Sequence, residues 1–106
     1  MKVIRIHKKV AKEIDSLDFS LKRQLSELFA QLASGENLGM PVSRPMPSVK
    51  HGVHELRLKD RSGQYRVFYY TKKVDAILVF HFFKKKTQET PLQEISTAQS
   101  RLEELL

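Results

Sequence analysis

The sequence has no cysteine among its 106 residues, which excludes a disulfide framework and thiolate chemistry. Its longest apolar run is AILVFHFF, far short of the roughly 20 residues that a membrane-spanning helix needs. The opening MKVIRIHKKV lacks the apolar stretch of a secretory signal peptide. We therefore expect a protein of the reducing cytoplasm that has no membrane partner.

Acidic residues are scarce, because 19 Lys and Arg face 12 Asp and Glu, a net charge of +7. The imbalance is local: residues 51–86 hold nine basic and three acidic residues, whereas residues 87–106 hold one and four. A basic middle region is typical of a protein that binds a polyanion or an acidic partner protein. It is equally compatible with a charged surface that only maintains solubility.

The composition predicts one globular domain spanning residues 1–106, with 41% hydrophobic and 29% charged residues. KVIRI at the start favours a short strand. Apolar residues then recur at helical spacing from Lys8, and again after Ser20, a good N-cap, as far as Gly35. These two stretches predict a helical hairpin, followed by a loop at residues 35–52 that is rich in glycine and proline.

Three strand-like runs follow: VHELRLK, QYRVFYY and AILVFHFF. Their connections are short, so we expect an antiparallel meander. Thr90 as N-cap and Pro91 at the first helical position then predict a C-terminal helix. The expected fold is α+β, with an N-terminal strand and a helical hairpin packed on an antiparallel sheet, and a C-terminal helix.

Strand alternation places several polar side chains on one face of this sheet. If the helical hairpin covers the leucines of VHELRLK, the opposite face gathers Glu55, Arg57, Arg66, His81 and Lys85. Arg66 stands in the middle of an apolar strand, where a guanidinium is costly without a partner or a ligand. Phe83 shares the alternation of His81 and Lys85, whereas Lys84 takes the other face.

These residue types suit cleavage of RNA, which carries its own nucleophile in the 2′-OH. Cleavage needs a base, an acid and cations at the phosphoryl oxygens. Glu55 or His81 would supply base or acid, and the cations Arg57, Arg66 and Lys85 would hold the phosphate. Phe83 and either Tyr65 or Tyr70 would stack on bases. The histidines are scattered and give no metal-ligand pattern, and we expect no cofactor.

A purely structural interpretation of the same residues stays open. Glu55 would then pair with an arginine across the sheet, His81 would be an internally bonded strand histidine, and the lysines would be solvated.

The stretches GVHELRLKDRSGQYRVFYY and ILVFHFFKKKTQETPLQEISTAQSRLEEL resemble the RelE/ParE superfamily of toxin–antitoxin toxins, in its HigB-like (phage-derived Gp49-like) branch. This resemblance implies a RelE-like domain that acts as a metal-independent endoribonuclease on mRNA, often on the ribosome, and that inhibits translation. It also implies a cognate antitoxin, typically a helix-turn-helix protein.

The resemblance carries the site to particular residues of this chain. The catalytic candidates are Glu55, Arg57, Arg66, His81 and Lys85. Apart from the resemblance, the residue types along these strands make Lys59, Tyr65, Phe83, Lys84 and Lys86 the RNA-binding candidates. Two other functions remain open, because the superfamily also contains ParE toxins that poison DNA gyrase, and because the chain would also fit a non-catalytic remnant that only binds an antitoxin.

Overall fold

The computed structural model covers residues 1–106 and contains five strands and three helices. In chain order they are β1 (Val3–Ile6), α1 (Lys8–Asp15), α2 (Phe19–Ala33), β2 (Ser43–Pro45), β3 (Val53–Asp60), β4 (Gly63–Tyr70), β5 (Ala76–Lys85) and α3 (Leu92–Leu105). None of the helices is both long and apolar enough to cross a membrane.

The five strands form one sheet in the order β1-β5-β4-β3-β2. Strands β2 to β5 pair antiparallel, as the short connections predict, and β1 joins β5 in parallel, with Ile4 opposite Ile77. The predicted α+β fold is therefore confirmed, and β1 makes the sheet a mixed one.

The helical hairpin of α1 and α2 covers one face of the sheet. Its apolar stripes meet the leucines of β3, and the main members of this core are Val10, Leu21, Leu25, Leu56, Leu58 and Val67. The expected start of the second helix at Ser20 is wrong. Asp18 holds the N-cap position with extended backbone, and its carbonyl accepts the first helical hydrogen bond from the Lys22 N–H at 3.1 Å. Ser20 therefore lies within the first turn.

Helix α3 packs on the opposite face of the sheet. Its buried residues Ala98 and Leu102 share a core with Phe68, Phe80 and Phe83. Thr90 is not the N-cap, which corrects the prediction. Pro91 takes that position, because its carbonyl accepts the first helical hydrogen bonds, and the Thr90 hydroxyl is buried without a partner.

The segment 35–52 is not entirely a loop, because β2 adds a three-residue strand to the edge of the sheet. Ser43 lies opposite Leu56, and its hydroxyl contacts the Tyr69 hydroxyl at 2.6 Å on the hairpin side. Since neighbouring residues of a strand project to opposite faces, Arg44 points to the α3 side, where it lies opposite Glu55.

Strand β5 contains a bulge that matters for the site. Phe68 of β4 pairs with His81, but the next residue, Tyr69, pairs with Val79, so Phe80 is the extra residue. Both Phe80 and His81 consequently lie on the α3 side. The bulge precedes Phe82, and the alternation expected for the end of β5 is preserved.

Candidate functional site

One buried carboxylate organises the polar face of β3. The side chain of Glu55 is 0% exposed, and its Oε1 accepts a hydrogen bond from Nε of Arg44 at 2.8 Å. The Nε atoms of Arg66 and Arg57 lie 3.6 and 3.9 Å from the same oxygen. Oε2 has no hydrogen-bond partner. Three guanidinium groups from three adjacent strands thus converge on one carboxylate oxygen.

Arg66 is the most buried of these cations, with 3% of its surface exposed. Its Nη1 donates to the Tyr65 carbonyl at 3.0 Å and its Nη2 to the Gln64 side chain at 3.3 Å, while Nε has no hydrogen-bond partner. Burial lowers the pKa of Arg66; Glu55 opposes this shift, and Arg57 and Arg44 add to it. A guanidinium nevertheless stays protonated at neutral pH, so Arg66 is a fixed charge.

Lys85 ends β5 opposite Gln64 and lies next to this cluster. Its pKa is lowered, first by burial and then by repulsion from Arg66, with smaller effects of the other two arginines; Glu55 acts in the opposite direction. A lysine in such surroundings releases its proton more readily than a solvated one.

The cluster opens into a cavity of about 650 Å³ without any hydrophobic lining residue. Its walls are Arg44, Arg57, Gly63, Gln64, Arg66, Lys85, Lys86, Thr87 and Gln88. Five of these residues are cations, and the one carboxylate beneath them is already in contact with three of the five. The cavity is therefore suited to an anion such as a phosphodiester. No three His, Cys, Asp or Glu side chains are placed to hold a metal ion.

Four of the five predicted catalytic residues come together in this way: Glu55 beneath the cavity, and Arg57, Arg66 and Lys85 in its walls. Of the predicted RNA-binding residues, Lys86 lies in the same wall. Lys59 lines an adjoining depression of about 440 Å³ that also touches Arg57 and Arg66.

His81 lies on the expected face but not in the cavity. It is 3% exposed, its Nε2 lies 2.7 Å from Oε1 of Glu94, and its Nδ1 lies 3.1 Å from Nη1 of Arg101. Because Arg101 can only donate, Nδ1 must accept, and the proton of the neutral ring is on Nε2. Burial lowers the pKa of His81, Glu94 opposes this shift and Arg101 adds to it. These contacts are those of an internally bonded histidine.

The aromatic candidates and Lys84 are also outside the cavity. Phe83 is 7% exposed and packs edge-on against Phe68 in the α3-side core. Tyr65 stacks on Phe82 on the hairpin side, with Nζ of Lys84 6.0 Å from the centre of its ring. Tyr65 and Lys84 thus occupy the face opposite to Arg66 and Lys85.

Sequence reasoning missed Arg44, which is 43% exposed and makes the shortest contact with Glu55. Its strand, β2, has only three residues and lies among the prolines of MPVSRPMPS. Neither the length of an apolar run nor an alternating pattern therefore predicts a strand there. The one available hint is that Arg44 is the only charged residue between Glu36 and Lys50.

The fold and the cavity together define a small α+β protein with a cationic face on its sheet. The chain belongs to the family described as phage derived protein Gp49-like (DUF891), which it matches over residues 12–103. Its structure is similar to the crystal structure of the isolated E. coli RelE toxin, with a TM-score of 0.54 and 16% identity over 100% of both chains. No curated protein matches the sequence. The chain therefore has a RelE-like fold.

Proposed function

We propose that this protein is the toxin of a type II toxin–antitoxin pair and that it cleaves mRNA, acting on the ribosome and so inhibiting translation. The observation that carries the proposal is the convergence of Arg44, Arg57, Arg66 and Lys85 on one open polar cavity above a buried glutamate. Membership of the Gp49-like family and a fold shared with a toxin support the same class.

The proposed reaction is attack of an RNA 2′-oxygen on the adjacent phosphorus, with departure of the 5′-oxygen of the next nucleotide. The products are a 2′,3′-cyclic phosphate and a 5′-hydroxyl. The transition state carries extra negative charge on the phosphoryl oxygens, and cations that are already oriented towards those oxygens stabilise such charge. Arg66 is the best placed of them, because it is buried and already oriented by Tyr65 and Gln64.

Lys85 is the proposed general base. Its lowered pKa increases the fraction of neutral amine near pH 7, and a base is most effective when its pKa approaches the working pH. Lys86, in the same cavity wall, is the proposed proton donor to the leaving 5′-oxygen. Glu55 and His81 have no access to substrate, so we assign Glu55 as a positioning residue for the three arginines and His81 as a positioning residue for Glu94.

The proposed partners are mRNA, the ribosome and a cognate antitoxin, expected to be a helix-turn-helix protein, and action on translating ribosomes implies the cytoplasm. An antitoxin segment that blocks the cavity would have to be acidic, since it would meet the same cations as RNA. RNA binding should weaken steeply with added salt, because each phosphate contact releases counterions.

Primer extension on a reporter mRNA in a translating lysate tests the proposal. Added wild-type protein should produce discrete cleavage sites, and Arg66→Ala should not. Intact mRNA together with trapped DNA–gyrase complexes would instead support a ParE-like inhibitor. Intact mRNA without such complexes, from a protein that still binds its antitoxin, would identify a non-catalytic remnant.

A further inference from the structure

A second cavity, of about 280 Å³, adjoins the cationic one. Its lining residues are Phe83, Lys84, Lys86, Thr87, Pro91 and Glu94, and two of them, Lys86 and Thr87, line both cavities. An RNA strand with one phosphate in the first cavity would therefore bring a neighbouring base to the second. The volume is sufficient for a purine.

Glu94 gives this second cavity a directed hydrogen-bond acceptor. Its side chain is 32% exposed, its Oε1 accepts from the buried His81 at 2.7 Å, and Oε2 has no protein partner. His81 is fixed in turn by Arg101, whose Nη1 also lies 3.5 Å from Oε1 of Glu13 on α1. The carboxylate is thus held in one orientation by a chain of contacts that reaches from α3 through β5 to α1.

The remaining surroundings suit the flat body of a nucleobase. Phe83 contributes an apolar edge and Pro91 an apolar ring, while Lys86 supplies positive charge for a flanking phosphate. A carboxylate accepts hydrogen bonds from the amino groups of guanine, adenine or cytosine. Uracil offers a single N–H between two carbonyl oxygens, which a carboxylate repels.

We propose that the cavity at Glu94 is a base-binding subsite that favours a base with an amino group on its pairing edge, guanine best, and rejects uracil. Guanine fits best because its N1–H and N2–H groups stand side by side and match the two oxygens of one carboxylate. The proposal rests on the proposed function, since it makes Glu94 a specificity-determining residue for the RNA that the cationic cavity holds.

The informative variant is Glu94→Gln. Its side-chain carbonyl can still accept from His81, so the packing of α3 is retained, while its NH₂ group now points to the cavity and can donate to uracil. The preference for guanine over uracil should fall by about tenfold or more, the size of one well-made base contact. Glu89→Gln is the matched control, because it removes the same charge from an exposed residue in the nearby connection between β5 and α3.

Two measurements separate failure of this inference from failure of the proposed function. The first is equilibrium binding of labelled single-stranded RNA pentamers, UUGUU and UUUUU, to wild type and both variants. Wild type and Glu89→Gln should bind UUGUU more tightly, and Glu94→Gln should lose that difference. Equal affinities of wild type for the two pentamers would overturn the subsite whether or not the protein cleaves RNA.

The second measurement maps every cleavage site on one long reporter mRNA in the translating lysate. Sites cut by wild type should be depleted of uracil at one fixed position beside the scissile bond, and Glu94→Gln should relax that depletion. Cleavage with identical base preferences in wild type and Glu94→Gln would refute the subsite and leave the ribonuclease proposal standing. Absence of cleavage together with a clear preference for UUGUU would support the subsite and refute the ribonuclease proposal.

Discussion

Nε of Arg66 lies 3.6 Å from Oε1 of Glu55, and both side chains are almost completely removed from water. A charge in such a position is tolerated only with a partner. Arg44 and Arg57 share that carboxylate, so Glu55 holds three cations that would otherwise repel one another. A carboxylate in this position holds the three arginines close together, and it has no exposed surface from which to take a proton from RNA.

Replacing Glu55 should therefore lower the stability of the fold, since Glu55 itself does not contact the substrate. Glu55→Gln leaves Arg66 buried without its counter-charge, and the free energy of unfolding should fall by about 3 kcal/mol. Urea denaturation measures this loss. Glu36→Gln, at an exposed residue without an ion pair, should change little. If Glu55→Gln unfolds at the wild-type urea concentration, the carboxylate does not hold the arginines as described.

Arg66 should be required for cleavage. The Arg66→Ala variant should still fold, because Glu55 keeps Arg44 and Arg57 as partners. Arg66→Ala removes an oriented guanidinium from the developing charge, and the single-turnover rate should fall by about a hundredfold, roughly 3 kcal/mol of transition-state stabilisation. Arg61→Ala is the control, since Arg61 is an exposed arginine in the β3–β4 turn. A folded Arg66→Ala variant that cleaves as fast as wild type would exclude Arg66 from phosphate stabilisation.

The sequence predicted the helical hairpin, the three-stranded meander and α3, because in each the apolar residues recur at the period of the element. It did not predict β2 or the start of α2 at Phe19. Strand β2 has three residues, one of them a proline, and it exists because β3 offers a free edge and Tyr69 offers a hydroxyl to Ser43. Contacts of that kind are tertiary and leave no periodic signal.

The candidate site was likewise predicted where strand alternation decides the outcome and missed where tertiary contacts do. Strand alternation correctly put Glu55, Arg57, Arg66 and Lys85 on one face, since parity depends only on position along a strand. It also put His81 on that face, but it could not tell which side chains stay accessible. Glu55 is covered by the three arginines. His81 is covered by α3 through Glu94 and Arg101, residues 13 and 20 positions away along the chain. Arg44 depends on β2 and was missed with it.

The burial of His81 should make folding sensitive to mild acid. Burial and Arg101 lower the pKa of His81 in the folded protein against the partial opposition of Glu94, so the unfolded chain takes up the proton first. The stabilising contribution of neutral His81 is complete above its ordinary pKa of 6.5 and is lost as pH falls through the lower folded value.

Thermal unfolding of wild type and His81→Asn between pH 5 and pH 8 measures this contribution. The variant should have the lower Tm at pH 8, and the difference should shrink towards pH 5. Glu94 and Arg101 remain in both proteins, so the comparison isolates the imidazole. A difference in Tm that stays constant over the whole range would show that His81 does not titrate below its ordinary pKa.

The last prediction separates the two lysines at the end of β5. Lys85 lies in the cavity wall beside Arg66, whereas Lys84 lies over Tyr65 on the opposite face, and both are cations next to one another in sequence. Lys85→Ala should reduce single-turnover cleavage at saturating enzyme by about a hundredfold, as removal of a general base does. Lys84→Ala should leave that rate within about twofold and weaken only the salt-dependent binding of RNA.

The wild-type rate should also rise with pH, because the neutral amine is the active form, while Lys85→Arg, which stays charged, should be slow at every pH. Equal losses in Lys84→Ala and Lys85→Ala would mean that the lysines act only as a general electrostatic surface.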